Sequence, residues 1–236
     1  MNVLLPLLGA LLLWGTLVGL DVVTFPQSMI SRPIIAGTCA GLIIGLLSPG
    51  TSVQEAVPGG MLIGATLELF ALDVLPFGAA RYPDYGPATV AAVYAAFGWP
   101  RLEVGLGVGV MVGLLTAVLG GWSMQIVRRA NAAAIQRRSA ALSAGQADAI
   151  RALQWGGVRR DIARSAGVTA CGLAIGLLVW PLLPPGSENA VWLTVVAVGA
   201  GISAAISGAI RNAGRTRRLA WVFGGLVIGA LTVVLR

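Results

Sequence analysis

Val104 to Trp122 reads VGLGVGVMVGLLTAVLGGW, an apolar stretch of membrane-crossing length broken by no charge. The hydrocarbon core of a bilayer is about 30 Å thick, so a spanning helix needs about 20 predominantly apolar residues. Comparable runs recur at Leu4 to Leu20, Ser165 to Leu183, Ala190 to Ile210 and Leu219 to Leu235. Lipid offers no partner to a free backbone N–H or C=O, so such runs must be helices. The chain is therefore expected to be an all-α, polytopic integral membrane bundle. Composition agrees: 57% of residues are hydrophobic and 11% charged, whereas a soluble domain carries about 25% charged residues to make its polar shell.

The N-terminal half is less regular. Its first run, MNVLLPLLGALLLWGTLVGL, lacks a basic flank and an Ala-x-Ala site, so it is expected to be a membrane segment and not a cleaved signal. Asp21 ends it, and a polar break from Thr24 to Arg32 closes on Pro33. Three apolar pieces follow. Ile34 to Leu47 is short, Met61 to Ala80 contains Glu68, Asp73 and Pro76, and Ala88 to Trp99 is short again. Pieces of this length suit broken or re-entrant segments, which are tolerated at membrane depth only where protein buries them or they line a cavity. In transporters, paired broken segments mark the binding site. Short, tilted helices with Pro kinks are the plainer alternative.

Charge sets the orientation. All 16 basic residues are Arg. Eight of them lie between Ser123 and Arg164, against Asp148 and Asp161, and four lie between Arg211 and Arg218. Clusters of this kind mark cytoplasmic loops and can attract anionic headgroups of membrane lipid. The two clusters are separated by two spans joined through the Arg-free loop 184–189, so both fall on one side. One membrane domain, 1–236, is expected, in three parts. Residues 1–122 hold the broken helices and the substrate site, 123–164 form an Arg-rich cytoplasmic helical loop, and 165–236 contribute three spanning helices.

The net charge of +7 is accounted for by these loops, so no nucleic-acid partner is expected. Glycines recur at four-residue spacing, at 37, 41 and 45, at 60 and 64, at 105, 109 and 113, at 172 and 176, and at 225 and 229. Each set is a smooth stripe along which another helix backbone can approach; spacing does not say which one. Cys39 and Cys171 sit in apolar runs and read as small buried hydrophobes. The chain contains no His and no Walker motif. No catalytic residue, metal ligand or cofactor is expected.

Glu68, in GGMLIGATLELFALD, is the residue most in need of explanation. An ionised carboxylate in hydrocarbon is costly and normally faces a cavity or a partner. It could accept hydrogen bonds from neighbouring hydroxyls of a sugar or polyol, serve as a proton or ion site, or act structurally as an ion pair or helix cap. Asp73 lies five residues on, rotated by about 140° on a continuous helix, so the two acids would not share a face. Asp21 and Arg32 flank the first polar break and could pair or join a site. Arg81 and Asp84 read as turn and interface residues.

Three motifs carry a family resemblance: RPIIAGTCAGLIIGLLS at 32–48, GGMLIGATLELFAL at 59–72 and FGAARYPD at 77–84. Their order and spacing resemble the IIC subunits of mannose/fructose/sorbose-family permeases of the phosphotransferase system. The C-terminal half agrees more loosely, through VVAVGAGISAAISGAIRNAG at 195–214. The resemblance implies a subunit of the bacterial cytoplasmic membrane that moves a sugar inward for phosphorylation by others. It implies a IID membrane subunit, a soluble IIAB phosphocarrier whose histidines carry the phosphate, and a homo-oligomer of the IIC–IID complex. It places the substrate carboxylate at Glu68; Asp73, Gly60, Gly78, Asp21 and Arg32 are expected as further substrate-binding residues. Departures surround that site. Pro76-Phe77 stands where the family often has Asn, loop 48–58 is long, and Asp73 replaces a common Gly. Two rivals follow from them: a secondary transporter of another small polar solute, and a non-transporting assembly or sensory subunit that has kept the fold.

Overall fold

The computed structural model describes residues 3–22, 24, 26–73, 82–98, 105–182 and 190–211, the side chains of 73, 180, 190–193 and 208–211 excepted. The expected last span, the loops 184–189 and 212–218, Gly78, Arg81 and the stripe at 225 and 229 lie outside them. Every regular element described is helical: α1 Leu4–Asp21, α2 Pro33–Leu47, α3 Val53–Asp73, α4 Tyr85–Phe97, α5 Leu106–Arg137, α6 Ser139–Ser143, α7 Ala147–Val179 and α8 Ala190–Arg211. A 3-10 turn, Trp180–Leu182, closes α7. Among the described residues, four helices are long and apolar enough to cross a membrane: α1, α3, α5 and α7.

The short N-terminal pieces are α2 and α4. Pro33 opens α2 at its first position, where the missing N–H costs nothing. At 15 and 13 residues they measure about 22 and 20 Å, less than a bilayer core. α4 can be short because protein surrounds it: Tyr85 to Ala96 are all buried, packed by α1, α2, α3, α5 and α7. Its ATVAAVYAA core lets these neighbours close in. α3 starts eight residues before the expected Met61 and runs through Pro58. Pro58 lies one turn from the helix start, so it removes a single early hydrogen bond without ending the helix.

Glycine stripes set the pairing. α2 and α3 lie antiparallel with their backbones touching: a Cβ at Gly37 would strike the carbonyl of Gly60, one at Gly41 that of Ala56, and one at Gly64 that of Pro33. Gly15 and Gly19 seat α1 against Thr169 and Ser165 of α7, and Gly172 seats α7 against Ala91 and Thr116. Cys171, in contrast, is exposed on the bundle surface, and both cysteines are free. An apolar run in a membrane bundle has a face for lipid as well as one for protein, so the expectation of burial fails at that position.

These contacts also settle the relative direction of the helices. The C-terminal ends of α1 and α3, the N-terminal ends of α2 and α4, and the start of the apolar part of α7 meet at one end. α5 leaves the bundle there and continues to Arg137, and α7 returns from Ala147. The expected Arg-rich loop is thus the outer half of two helices of 32 and 33 residues. Each is about 50 Å long, more than a bilayer requires. The Arg-rich segment therefore extends from the end of the bundle where α1 and α3 finish and α2 and α4 begin.

Candidate functional site

At the end of the bundle from which the Arg-rich hairpin extends, the structure brings Glu68 and Arg32 together. The Arg32 guanidinium lies 3.6 Å from one Glu68 oxygen, with the side chains 60% and 27% exposed. The other oxygen accepts the Ile34 backbone N–H at 3.3 Å. Ile34 is in the first turn of α2, where N–H groups have no partner within the helix and the helix dipole favours negative charge. Glu68 therefore caps α2 from α3, across the glycine-lined seam. Ion pair and helix cap, both open possibilities for this residue, are realised. The carboxylate keeps acceptor positions free, since each oxygen has two lone pairs.

Asp21 stands apart from this pair and acts on the loop that ends in Arg32. One of its oxygens accepts the Ser28 backbone N–H at 2.5 Å and the Ser28 hydroxyl at 3.1 Å; the other accepts the Ser31 N–H at 3.0 Å. The loop needs such an anchor, because Gln27 and Met29 adopt φ of 57° and 66°. Non-glycine residues in that region cost about 1–3 kcal/mol each and persist only when their surroundings hold them.

The other expected binding residues separate. Gly60 lies two turns from Glu68 and serves the contact with Gly37. Asp73 is the last residue of α3; its side chain, like Gly78, lies outside the described residues.

A second polar cluster at the same end escaped the sequence reading. Arg164 donates to Asp84, to Asp161 at 2.7 Å and to the Gly19 carbonyl at 3.1 Å. The side chains of Arg164, Asp84 and Asp161 are 1%, 1% and 4% exposed. Thr24 donates its hydroxyl to Asp161, and Ser165 donates to the Thr16 carbonyl at 2.9 Å. One guanidinium thus joins α1, α4 and α7. Asp84 had the look of a turn residue and Arg164 of one more cytoplasmic charge. The available signal was Arg164 opening an apolar run, one helical turn after Asp161, where a bare cation would be unfavourable.

The comparisons with known proteins agree with this architecture. Residues 7–177 match the family model described as "PTS system sorbose-specific iic component". A sorbose-specific EIIC component of the phosphotransferase system from Lacticaseibacillus casei is 32% identical over 108 residues, 45% of this chain and 35% of that protein. One from Klebsiella pneumoniae is 34% identical over 89 residues, 37% of this chain and 30% of that protein. The matched stretch thus spans about a third of the length of these curated relatives. Among solved structures, one titled "Structure of membrane protein" aligns with a TM-score of 0.68 and 20% identity, over 97% of this chain and 94% of that one. The mannose transporter ManYZ, solved in complex with microcin E492, aligns with a TM-score of 0.56 and 21% identity, over 97% and 93%. At these identities the likeness is one of fold. The family match covers most of the chain, and on that ground this multi-pass membrane protein belongs to the sorbose-specific IIC family of the phosphotransferase system.

Proposed function

We propose that the chain is the sugar-translocating IIC subunit of a phosphoenolpyruvate-dependent, mannose-family permease in the bacterial cytoplasmic membrane. The observation that carries this reading is the Glu68–Arg32 pair at the α2–α3 seam. A carboxylate beside a guanidinium offers an acceptor and donors within one sugar's reach. At 3.6 Å the pair is too long for a tight bidentate contact, so a hydroxyl can enter without breaking strong bonds. Asp21 fixes the loop that presents Arg32, and the Ile34 N–H fixes the carboxylate.

The family match supports the rest. A IID subunit covers part of the apolar bundle surface, the IIC–IID unit forms a homo-oligomer, and membrane lipid covers what remains. A soluble IIAB protein phosphorylates the sugar on the cytoplasmic side, so this chain carries no phosphoryl group itself. The test is uptake of labelled sugars, sorbose and mannose first, by cells expressing the chain with its IID and IIAB partners. Uptake should require phosphoenolpyruvate and should fail in Glu68→Gln. Uptake that ignores phosphoenolpyruvate would reject the permease reading in favour of a secondary transporter.

A further inference from the structure

The outer halves of α5 and α7 form a helical hairpin beyond the membrane, and a cleft of about 530 Å³ lies along it. Its walls carry Arg137 at the end of α5, Arg138 just after it, and Arg151, Trp155, Arg159 and Arg160 from α7. Arg151, Trp155 and Arg159 recur at helical spacing, so these three share one face. A single carboxylate, Asp148, reaches the cleft; it pairs with Arg151 at 3.5 Å, and its side chain is 96% exposed. Arg160 donates to Asn131 at 2.5 Å. Five guanidinium groups are therefore held together with one carboxylate among them. Such a cleft gains from any anion that enters it.

Depth decides what kind of anion. Buried Asp161 and Arg164 place the inner level of α7 near Ile162, and the charge-free run of α5 ends at Trp122. At 1.5 Å per residue, Trp155 stands about 10 Å, Arg151 about 16 Å and Arg137 about 22 Å beyond those levels. The headgroup layer adds only about 5–7 Å on each side of the hydrocarbon. Arg159 and Arg160 lie at headgroup depth, but the rest of the cleft opens into the cytoplasm. Trp155 is 60% exposed there. Exposed Trp set among Arg is the composition of protein–protein hot spots, and the guanidinium fork matches carboxylate and phosphate geometry.

We propose that this cleft is the docking site for an acidic, phosphate-bearing face of a soluble cytoplasmic protein. The proposal rests on the permease reading, which supplies the soluble IIAB protein as the partner to test. The full chain in phosphatidylcholine nanodiscs is titrated with IIAB, phosphorylated beforehand, and binding is followed by interferometry.

The triple variant Arg137→Ala, Arg138→Ala, Arg151→Ala should weaken binding on the order of tenfold or more, and Trp155→Ala should weaken it several-fold. Arg128→Ala, Arg129→Ala removes two positive charges from the same hairpin outside the cleft and should leave binding within about twofold. The hairpin projects from the bundle, so thermal melting should show all variants folded. Equal loss in both Arg variants would mean general charge attraction and would overturn the proposal. Wild-type binding by the triple variant, with loss only of phosphatidylglycerol retained in mixed nanodiscs, would assign the cleft to lipid instead. Phosphoenolpyruvate-dependent uptake is measured in parallel. If uptake is dependent while the triple variant binds IIAB normally, the docking site falls and the permease reading stands; independent uptake removes the reading itself.

Discussion

Glu68 and Ile34 join α3 to α2 by one hydrogen bond: the carboxylate accepts the Ile34 N–H at 3.3 Å, while Arg32 lies 3.6 Å away on its other side. One carboxylate thus does a structural task, and the proposed function gives it a second one as a ligand of the sugar. Changes that spare one of these roles can separate them.

In Glu68→Gln the amide oxygen still accepts the Ile34 N–H, and the ion pair lost is half exposed, so stability should fall by no more than about 1 kcal/mol. Uptake should fall by an order of magnitude or more, because a neutral amide accepts weaker hydrogen bonds from sugar hydroxyls. Thermal melting in detergent and labelled-sugar uptake check the two halves. A variant that melts early and transports normally would make Glu68 a cap and nothing else.

Arg164→Ala leaves Asp84 and Asp161 buried without their cation. Breaking a buried ion pair by removing one partner typically costs about 3–5 kcal/mol, so the variant should express poorly and melt far below the parent. Asp84→Asn with Arg164→Gln removes both charges and should melt closer to the parent than Arg164→Ala alone. The reverse ranking would mean that the cluster contributes little.

Gly60→Ala places a methyl against the carbonyl of Gly37. Backbone cannot yield as a side-chain tip does, so the helices must separate, at a cost of about 1–3 kcal/mol. Gly199→Ala, with nothing within 4 Å of the added carbon, should be neutral or slightly stabilising, since Ala is the better helix former. The difference in melting temperature between the two variants is the measurement.

Asp21→Ala releases the Ser28 and Ser31 N–H groups and the two left-handed residues they help to hold. The loop should become sensitive to limited proteolysis between Gln27 and Arg32, and the apparent affinity for sugar should weaken with Arg32 no longer fixed. Unchanged proteolysis would show that the loop is held by other contacts.

Much of the architecture can be read along the chain because the bilayer imposes it. Uncharged runs of spanning length have to be helices, and Glu68 has to find a polar neighbour. Gly37, Gly41, Gly60 and Gly64 are visible as stripes for the same reason, since four-residue spacing defines a helix face. Asp84 and Arg164 are not visible as a pair. They lie 80 residues apart, and each has an ordinary local explanation as a turn residue or a loop charge.

The sequence by itself therefore determined that this is a polytopic helical membrane protein and which few residues are too polar for their surroundings. Those properties depend on local composition set against a fixed solvent, lipid. Tertiary structure alone decided that the Gly37 stripe meets Gly60, that Glu68 answers the first turn of α2, and that Arg164 ties three helices. Partner choice depends on helix direction and rotation, and these follow from the packing of the whole bundle at once.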